Sequence, residues 1–496
     1  MNVAVVIIDT LRYDYISANG NPNIKTPNID RLIGKSWNFH KAFAASFPTI
    51  PHRTDVITGR YGAPFHPWKC LDFDVVTLPR WLAEKGYCSQ LIHDTPHLVN
   101  GAHGFDFPFD AWMPIRGAEV DRAWITDSWI PMSNWKFDPL FDEFDVSMEE
   151  VMRIHHAITC YIHTNRGREK EEDWNAAKLF STAAQFLKDN KTRENFFLWV
   201  DCFDPHEPWD APPEFMKMYD KTTGYDGTID PRSFHFRNNN NISEAARNRI
   251  KAEYSAKVTF MDKWFGVFLD ALEETGLDKN TAVILTSDHG TNVGDREGKF
   301  GKAGPPRENE SHVPFVVYMP GSGSGVSDAI VQPQDVFATV MSCIGEEGAL
   351  PDGINSNNLL DIANGNIEKR NIALAGTSIG NWGRAGKDRI IFSAFNKEWR
   401  LGFAANPEKC ELQKLGSMEN IAQDNTAIVS KMHAEAINEI ERRGLDPELL
   451  KWLRSNGENQ FPESFQVTDA HPAPAGWVGG YWNKMYKSMK MPKKRN

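Results

Sequence analysis

The chain alternates short apolar runs with stretches whose apolar positions recur at helical spacing. Val3-Ala4-Val5-Val6-Ile7-Ile8 is a continuous apolar run closed by Asp9, and it reads as a strand buried on both faces. Gln90–His93, Phe196–Val200, Ala282–Thr286 and Val313–Tyr318 read the same way. Between them, amphipathic stretches predict helices over Thr26–Ser36, Val76–Lys85, about Trp174–Lys188 and Glu244–Glu274. This order predicts an α/β architecture: a large mixed, mostly parallel sheet sandwiched by helices. Two stretches break the pattern, 105–175, rich in Trp, Asp and Pro, and 213–245, which contains Asn238–Asn241. Both read as insertions that wall a pocket, with Trp112, Trp124, Trp129 and Trp135 as candidate contacts for a ligand. Beyond residue 370 the texture changes. Ile390–Phe395 and Trp399–Phe403 read as a hairpin around Asn396-Lys397, and a polar helix follows from Ala427 to Arg443. The expected organisation is a main domain over 1–370, a small α+β subdomain over 371–454, and an aromatic and basic tail over 455–496.

Composition narrows the function. The 496 residues are 41% hydrophobic and 24% charged, an ordinary globular balance. Fifty-five basic against 66 acidic residues leave a net charge of −11, which argues against a nucleic-acid partner. No apolar run approaches the roughly 18 residues of a membrane span. Met1-Asn2 leads directly into the first strand without an export signal, and the six cysteines form no CxxC pair. Reduced thiols and a cytoplasmic location are therefore expected. The tail is expected to pack on its own or a neighbouring subunit, so a homo-oligomer is expected too.

The candidate chemistry lies at strand ends. Asp9 closes the first strand, Asp201 another with His206 close behind, and Asp288-His289 a third. Ligands bind at the carboxyl ends of strands in open α/β sheets. A carboxylate directly after an apolar run is costly to bury unless a cation or hydrogen bonds compensate it. Two such ends plus a histidine fit a divalent metal site.

Residues 49–60, Thr49-Ile50-Pro51-His52-Arg53-Thr54-Asp55-Val56-Ile57-Thr58-Gly59-Arg60, resemble the sulfatase signature, in which Cys or Ser is followed by x-Pro-x-Arg, four residues and Thr-Gly. Further motifs carry the resemblance to the sulfatase and phosphonate monoester hydrolase branch of the alkaline phosphatase superfamily. These are Asp9-Thr10-Leu11-Arg12, Thr26-Pro27-Asn28-Ile29-Asp30, Pro205-His206-Glu207-Pro208, Ser287-Asp288-His289-Gly290, Gly301-Lys302 and Gln334-Asp335. The resemblance implies an alkaline-phosphatase-like fold over about residues 1–440 and a metal-dependent ester hydrolase. It implies Asp9, Asp288, His289 and Thr49 as metal ligands, and Thr49, Arg53, His206 and Lys302 as catalytic residues.

The chain departs from the sulfatases where their formylglycine forms, since that position is Thr49, and threonine is not converted by the cysteine or serine routes. A plain alcohol forms an ester adduct that must be hydrolysed at its central atom, which tilts the expected substrate toward a phosphodiester or phosphonate monoester. A sulfate ester handled without formylglycine and a lapsed binding protein are the alternatives. The family's Gly-Lys-Trp-His segment reads Asp94-Thr95-Pro96-His97, so a sulfate-binding lysine is missing. Thr95 and His97 become candidate substrate contacts, His97 also for proton transfer, with Asp94 and Asp201 as further pocket residues. His289 in place of the asparagine of calcium sulfatases favours Mn, Zn or Fe over Ca or Mg. Thr10 replaces the second Asp of the usual pair and removes one anionic ligand. The expected roles are Thr49 as nucleophile, Arg53 and Lys302 stabilising charge, and His206 protonating the leaving alcohol. Lys299 competes with Lys302 for the anion. His155, His156 and His163, and the acidic cluster at 169–173, read as packed or solvated surface.

Overall fold

The computed structural model describes residues 1–99, 103–119, 121, 140, 159–221, 243–296, 299–302, 305–366 and 370–465. Trp124, Trp129, Trp135, His155, His156, the Asn238–Asn241 run and most of the tail lie outside the described residues.

The main sheet has eight strands. In chain order they are β1 (Asn2–Ile8), β2 (Trp37–Ala42), β3 (Cys88–His93), β4 (Ala111–Pro114), β5 (Phe196–Cys202), β6 (Thr281–Ser287), β9 (Phe315–Tyr318) and β10 (Gly325–Val331), the intervening β7 (Asn292–Arg296) and β8 (Lys299–Gly301) forming a separate ribbon. Their spatial order is β10-β2-β9-β6-β1-β5-β3-β4. Only β9 runs antiparallel to its neighbours, so the sheet is mixed and mostly parallel. β1 shows why an unbroken apolar run is needed at the centre. Val3, Val5 and Ile7 face one hydrophobic cluster and Ala4, Val6 and Ile8 the other, as the two-residue strand period requires.

Helices cover both faces. The 31-residue helix Glu244–Glu274 starts on Ser243, whose side chain accepts from the Ala246 amide. Its buried Asp262 accepts the amides of Asn28 (3.1 Å) and Ile29 (2.8 Å). Those are first-turn donors of the helix Pro27–Ile33, which lack partners within their own helix. The Thr-Pro-Asn-Ile-Asp segment is thus a helix start docked on a carboxylate. The expected helix over 76–85 is Leu78–Ala83, and the expected strand from Val313 begins at Phe315, after Pro314, which has no amide to give a ladder.

The C-terminal part is an antiparallel sheet, β11 (Ala373–Gly376), β12 (Phe392–Phe395), β13 (Trp399–Phe403) and β14 (Glu411–Lys414), in that order. The expected hairpin is the β12–β13 pair, and the expected helix is Thr426–Arg442. A separate hydrophobic cluster that includes Leu374, Phe392, Leu401, Leu412, Met432 and Trp452 lies between this sheet and its helices. The sheet meets the main domain through the bridge between Ser46 and Gly376 and the stacking of Phe43 on Phe395 at 4.6 Å.

The helix Thr49–Thr58 ends on Gly59, at φ +62, where an added Cβ would lie 2.6 Å from the Phe337 Cβ. Both the left-handed backbone and the close approach demand glycine. Gly59→Ala is expected to cost about 2 kcal/mol or more, read as a lowered urea midpoint. An unchanged midpoint would show that Phe337 yields freely.

Candidate active site

Strands β6, β1, β5 and β3 lie side by side and run parallel, so their carboxyl ends deliver Asp288, Asp9, Asp201 and Asp94 to one edge. All four carboxylates are buried. Asp288 Oδ1 accepts the amides of His289 (2.8 Å) and Thr10 (3.0 Å). Thr10 reaches it by adopting φ +59, and its carbonyl accepts the Tyr254 hydroxyl at 2.7 Å. A β-branched residue in this region costs about 1–3 kcal/mol, so the surrounding contacts hold it there.

Thr49 opens the helix Thr49–Thr58, and Arg53 follows one turn later on the same face. Arg53 is completely buried. Its Nε and Nη2 grip Asp201 at 3.0 and 2.8 Å, Nη2 lies 3.1 Å from Asp9, and Nη1 donates to Asp288 and, at 3.2 Å, to the Thr49 carbonyl. One guanidinium therefore ties the Thr49 backbone to three strand ends. Ser46 is turned elsewhere: its hydroxyl donates to Asp55 (2.9 Å) and accepts the His66 amide (2.8 Å).

Asp9, Asp288 and His289 form a cluster able to hold a metal ion, with one ligand atom of each within 4.8 Å of the others. The donors fit a divalent cation. Among the described residues, both Asp9 oxygens and His289 Nε2 are buried without a hydrogen-bond partner, while His289 Nδ1 is engaged with the Gly290 carbonyl at 2.8 Å. Burial, and then the neighbouring Asp288, push the Asp9 carboxyl well above its ordinary range. Three carboxylates against one guanidinium leave two negative charges for a cation to neutralise.

Opposite stand His206 and Lys302. His206 stacks on Phe203 at 4.1 Å, and the edge of His97 meets the same ring at 5.9 Å. Burial lowers His206 to about 3, so its ring is neutral at physiological pH. Its Nδ1 bonds the Glu207 carbonyl at 2.7 Å, and Lys302 Nζ lies 2.8 Å from Nε2. An ammonium only donates, so Nε2 is the acceptor and Nδ1 carries the proton. In this arrangement the proton between the two groups lies on Lys302 Nζ, and His206 Nε2 receives it.

The Thr95 hydroxyl donates to Asp201 Oδ1 at 2.5 Å, so it braces the partner of Arg53. Asp94 accepts the Phe203 amide at 2.6 Å and fixes the loop that carries His206. His97 is buried, and its Nδ1 has no partner. Lys299 lies in β8, and Trp112 in β4 is half exposed, stacked over His93 at 6.3 Å. The acidic cluster includes Glu171, which is engaged by Lys263 and the Trp264 indole at 2.7 Å each.

A carboxylate and histidine cluster at the strand ends of a mixed sheet fits an ester hydrolase of the sulfatase branch of the alkaline phosphatase superfamily. Residues 1–346 match the family described as Sulfatase, and the chain belongs to that family. It is 24% identical over 405 residues to an arylsulfatase of Clostridium perfringens, covering 75% of this chain and 79% of the relative. It is 26% identical over 369 residues to an endo-4-O-sulfatase of Bacteroides thetaiotaomicron, covering 70% and 67%. The phosphonate monoester hydrolase of Agrobacterium radiobacter superposes with a TM-score of 0.64 at 20% identity, over 89% of this chain and 95% of that one. The family generally uses a divalent metal. No helix among the described residues is long and apolar enough to cross a membrane.

Two features went unread in the sequence. Glu207 approaches Lys302, and the ring of His52 is buried with both nitrogens unpaired. Burial lowers His52 to about 3, as it does His206. Both are neutral when folded, whereas in the unfolded chain they take up protons below about 6.5. Their stabilisation is whole above that pH and is lost as the pH falls toward 3, each by up to about 1.4 kcal/mol per unit. Metal-free protein is expected to lose stability steeply below pH 6, and His52→Gln to reduce the slope by about one proton. Denaturant titrations across that range provide the check.

Proposed function

We propose that this chain hydrolyses phosphodiesters or phosphonate monoesters with Thr49 as the covalent nucleophile. The observation that carries this reading is the tie made by Arg53, which holds the first residue of the helix against the Asp9–Asp288–His289 cluster. That cluster would hold the cation, and the imidazole of His289 favours Mn, Zn or Fe over Ca or Mg. When bound, such an ion supplies a Lewis acid that activates an alcohol and polarises an ester oxygen.

The chain's own residues divide the remaining work. Thr49 Oγ attacks phosphorus, its proton passing to solvent, and a Thr49 phosphoryl or phosphonyl ester forms. The bond to the leaving oxygen breaks, and that oxygen takes a proton from Lys302 Nζ, which lies 2.8 Å from His206 Nε2. Water then attacks the phosphorus of the adduct and returns the threonine hydroxyl. Arg53 is saturated by Asp201, Asp288 and Asp9, so its main part is to fix the nucleophile and the carboxylates. His97 contacts the substrate through the ring edge that faces the pocket loop.

A second reading, a sulfuric ester hydrolase working without formylglycine, draws on the arylsulfatase and endo-4-O-sulfatase relatives. The two readings separate in a panel of 4-nitrophenyl phosphodiester, phosphonate monoester and sulfate, each assayed with Mn, Zn, Ca and Mg. Turnover of a phosphorus ester at least about tenfold above sulfate is expected. Thr49→Ala is expected to lower it by about 10³-fold or more, and mass spectrometry of a quenched reaction should find the adduct on Thr49. Preference for sulfate with Ca would select the second reading. Ester binding with no turnover under any metal would mean a lapsed enzyme.

A further inference from the structure

Glu207 touches both members of the proton-transfer pair. Its carboxylate oxygens lie 3.4 Å from Lys302 Nζ, and one is 3.5 Å from His206 Nδ1, whose proton its own carbonyl takes at 2.7 Å. The side chain is nearly buried, at 8% exposure, so this charge is poorly screened by solvent. Burial alone would raise the Glu207 carboxyl, yet His206 and Lys302 beside it hold it well below the usual carboxylate range. The approach also depends on chain geometry. Gly301, just before Lys302, sits at φ +64, and a Cβ there would come 3.8 Å from Glu207 Oε1.

We infer that Glu207 is a positioning residue for the leaving-group proton, directing Lys302 at the departing oxygen, with His206 as the second support. The inference rests on the proposed role of Lys302 as donor. A lone lysine on a flexible four-carbon stem is a poorly aimed acid. Contacts to the Glu207 carboxylate at 3.4 Å and to His206 Nε2 at 2.8 Å limit where Nζ can be. The step balances: the scissile P–O or S–O bond breaks, its electron pair stays on the leaving oxygen, and that oxygen takes a proton from Nζ. The neutral amine recovers a proton from solvent before the next turnover.

Several other charged groups act on this triad. Glu119 approaches His206 Nδ1 to 3.5 Å from the segment after β4. Lys302 is felt by Asp9 from the end of β1, by His97 after β3 and by His289 after β6. Glu207 is the carboxylate that reaches both Lys302 and His206, so its loss is expected to affect proton delivery most.

The test compares wild type, Glu207→Gln, Glu207→Asp and Lys302→Ala on two aryl phenylphosphonate monoesters, one releasing 4-nitrophenol and one releasing phenol, with the matching sulfates as a parallel pair. A good leaving group needs little protonation and a poor one needs it fully. Glu207→Gln is expected to slow release of phenol by about 10²-fold and release of 4-nitrophenol by less than about tenfold. Glu207→Asp is expected to restore part of the rate of phenol release. Metal content and urea midpoint, measured on every variant, expose a misfolded protein. If Lys302→Ala shows the leaving-group-dependent loss and Glu207→Gln does not, the inference on Glu207 fails while the donor reading stands. If Lys302→Ala slows both esters equally, the donor reading fails and takes the inference with it. A Glu207→Gln defect equal for both esters marks a purely structural role and overturns the inference.

Discussion

Everything at the catalytic edge is organised around one buried guanidinium. Arg53 has no access to solvent, and three carboxylates from three adjacent strands converge on it. Removing such a charge from water costs several kcal/mol, recovered only with well-placed partners, and removing one partner leaves the others uncompensated. The ladder between β6, β1 and β5 fixes where those carboxylates can be. The helix that begins at Thr49 fixes where Arg53 can be, and the two requirements meet at a single position of residue 49. Thr95 and the Trp199 indole add their hydrogen bonds to Asp201 and leave its carboxylate no freedom to turn away.

The same charge balance explains why the cluster suits a divalent ion. Arg53 answers one of three negative charges, and the orphaned oxygens of Asp9 with the bare Nε2 of His289 are where the remaining charge would be met. Thr10 stands where the sulfatase resemblance implies a second carboxylate. Its backbone serves Asp288 through the amide, a function its strained φ makes possible and its side chain does not supply. With one anion fewer, a bound cation would keep more of its own charge for the substrate, in line with an alcohol nucleophile that requires strong activation.

Much of the fold was legible because central strands leave little choice. β1, β5 and β6 are buried on both faces, so their residues must be apolar without interruption, and the run ends where the site begins. The long helix, expected at about Glu244–Glu274, was legible from its helical spacing, and the structure shows Ser243 capping its start. The strands on the β10 side of the sheet were not. β2, second from that edge, carries Asn38, His40 and Lys41 and is only partly buried, and β10 is broken by an irregular register between Ser327 and Ile330. Neither presents a continuous apolar run or clean alternation. The site residues divide in the same way. Asp9, Asp288 and His289 stand out as polar groups closing apolar runs, and Thr49 and Arg53 through their fixed spacing. Glu207 and His52 sit in motifs beside more conspicuous neighbours, and nothing in their spacing signals what they touch.

Sequence by itself determined the sheet's central strands, the residues closing them and the family, because burial on two faces and a fixed order of motifs allow few alternatives. It did not determine which hydrogen-bond partner each polar group takes. Lys302 pointing at His206, Thr95 serving Asp201 and Arg53 bridging three strands are relations between residues up to 235 positions apart. Only packing the strands side by side brings those groups within 3 Å or so, and at that range donor and acceptor roles follow from which atom is left unpaired, a fact no linear pattern contains.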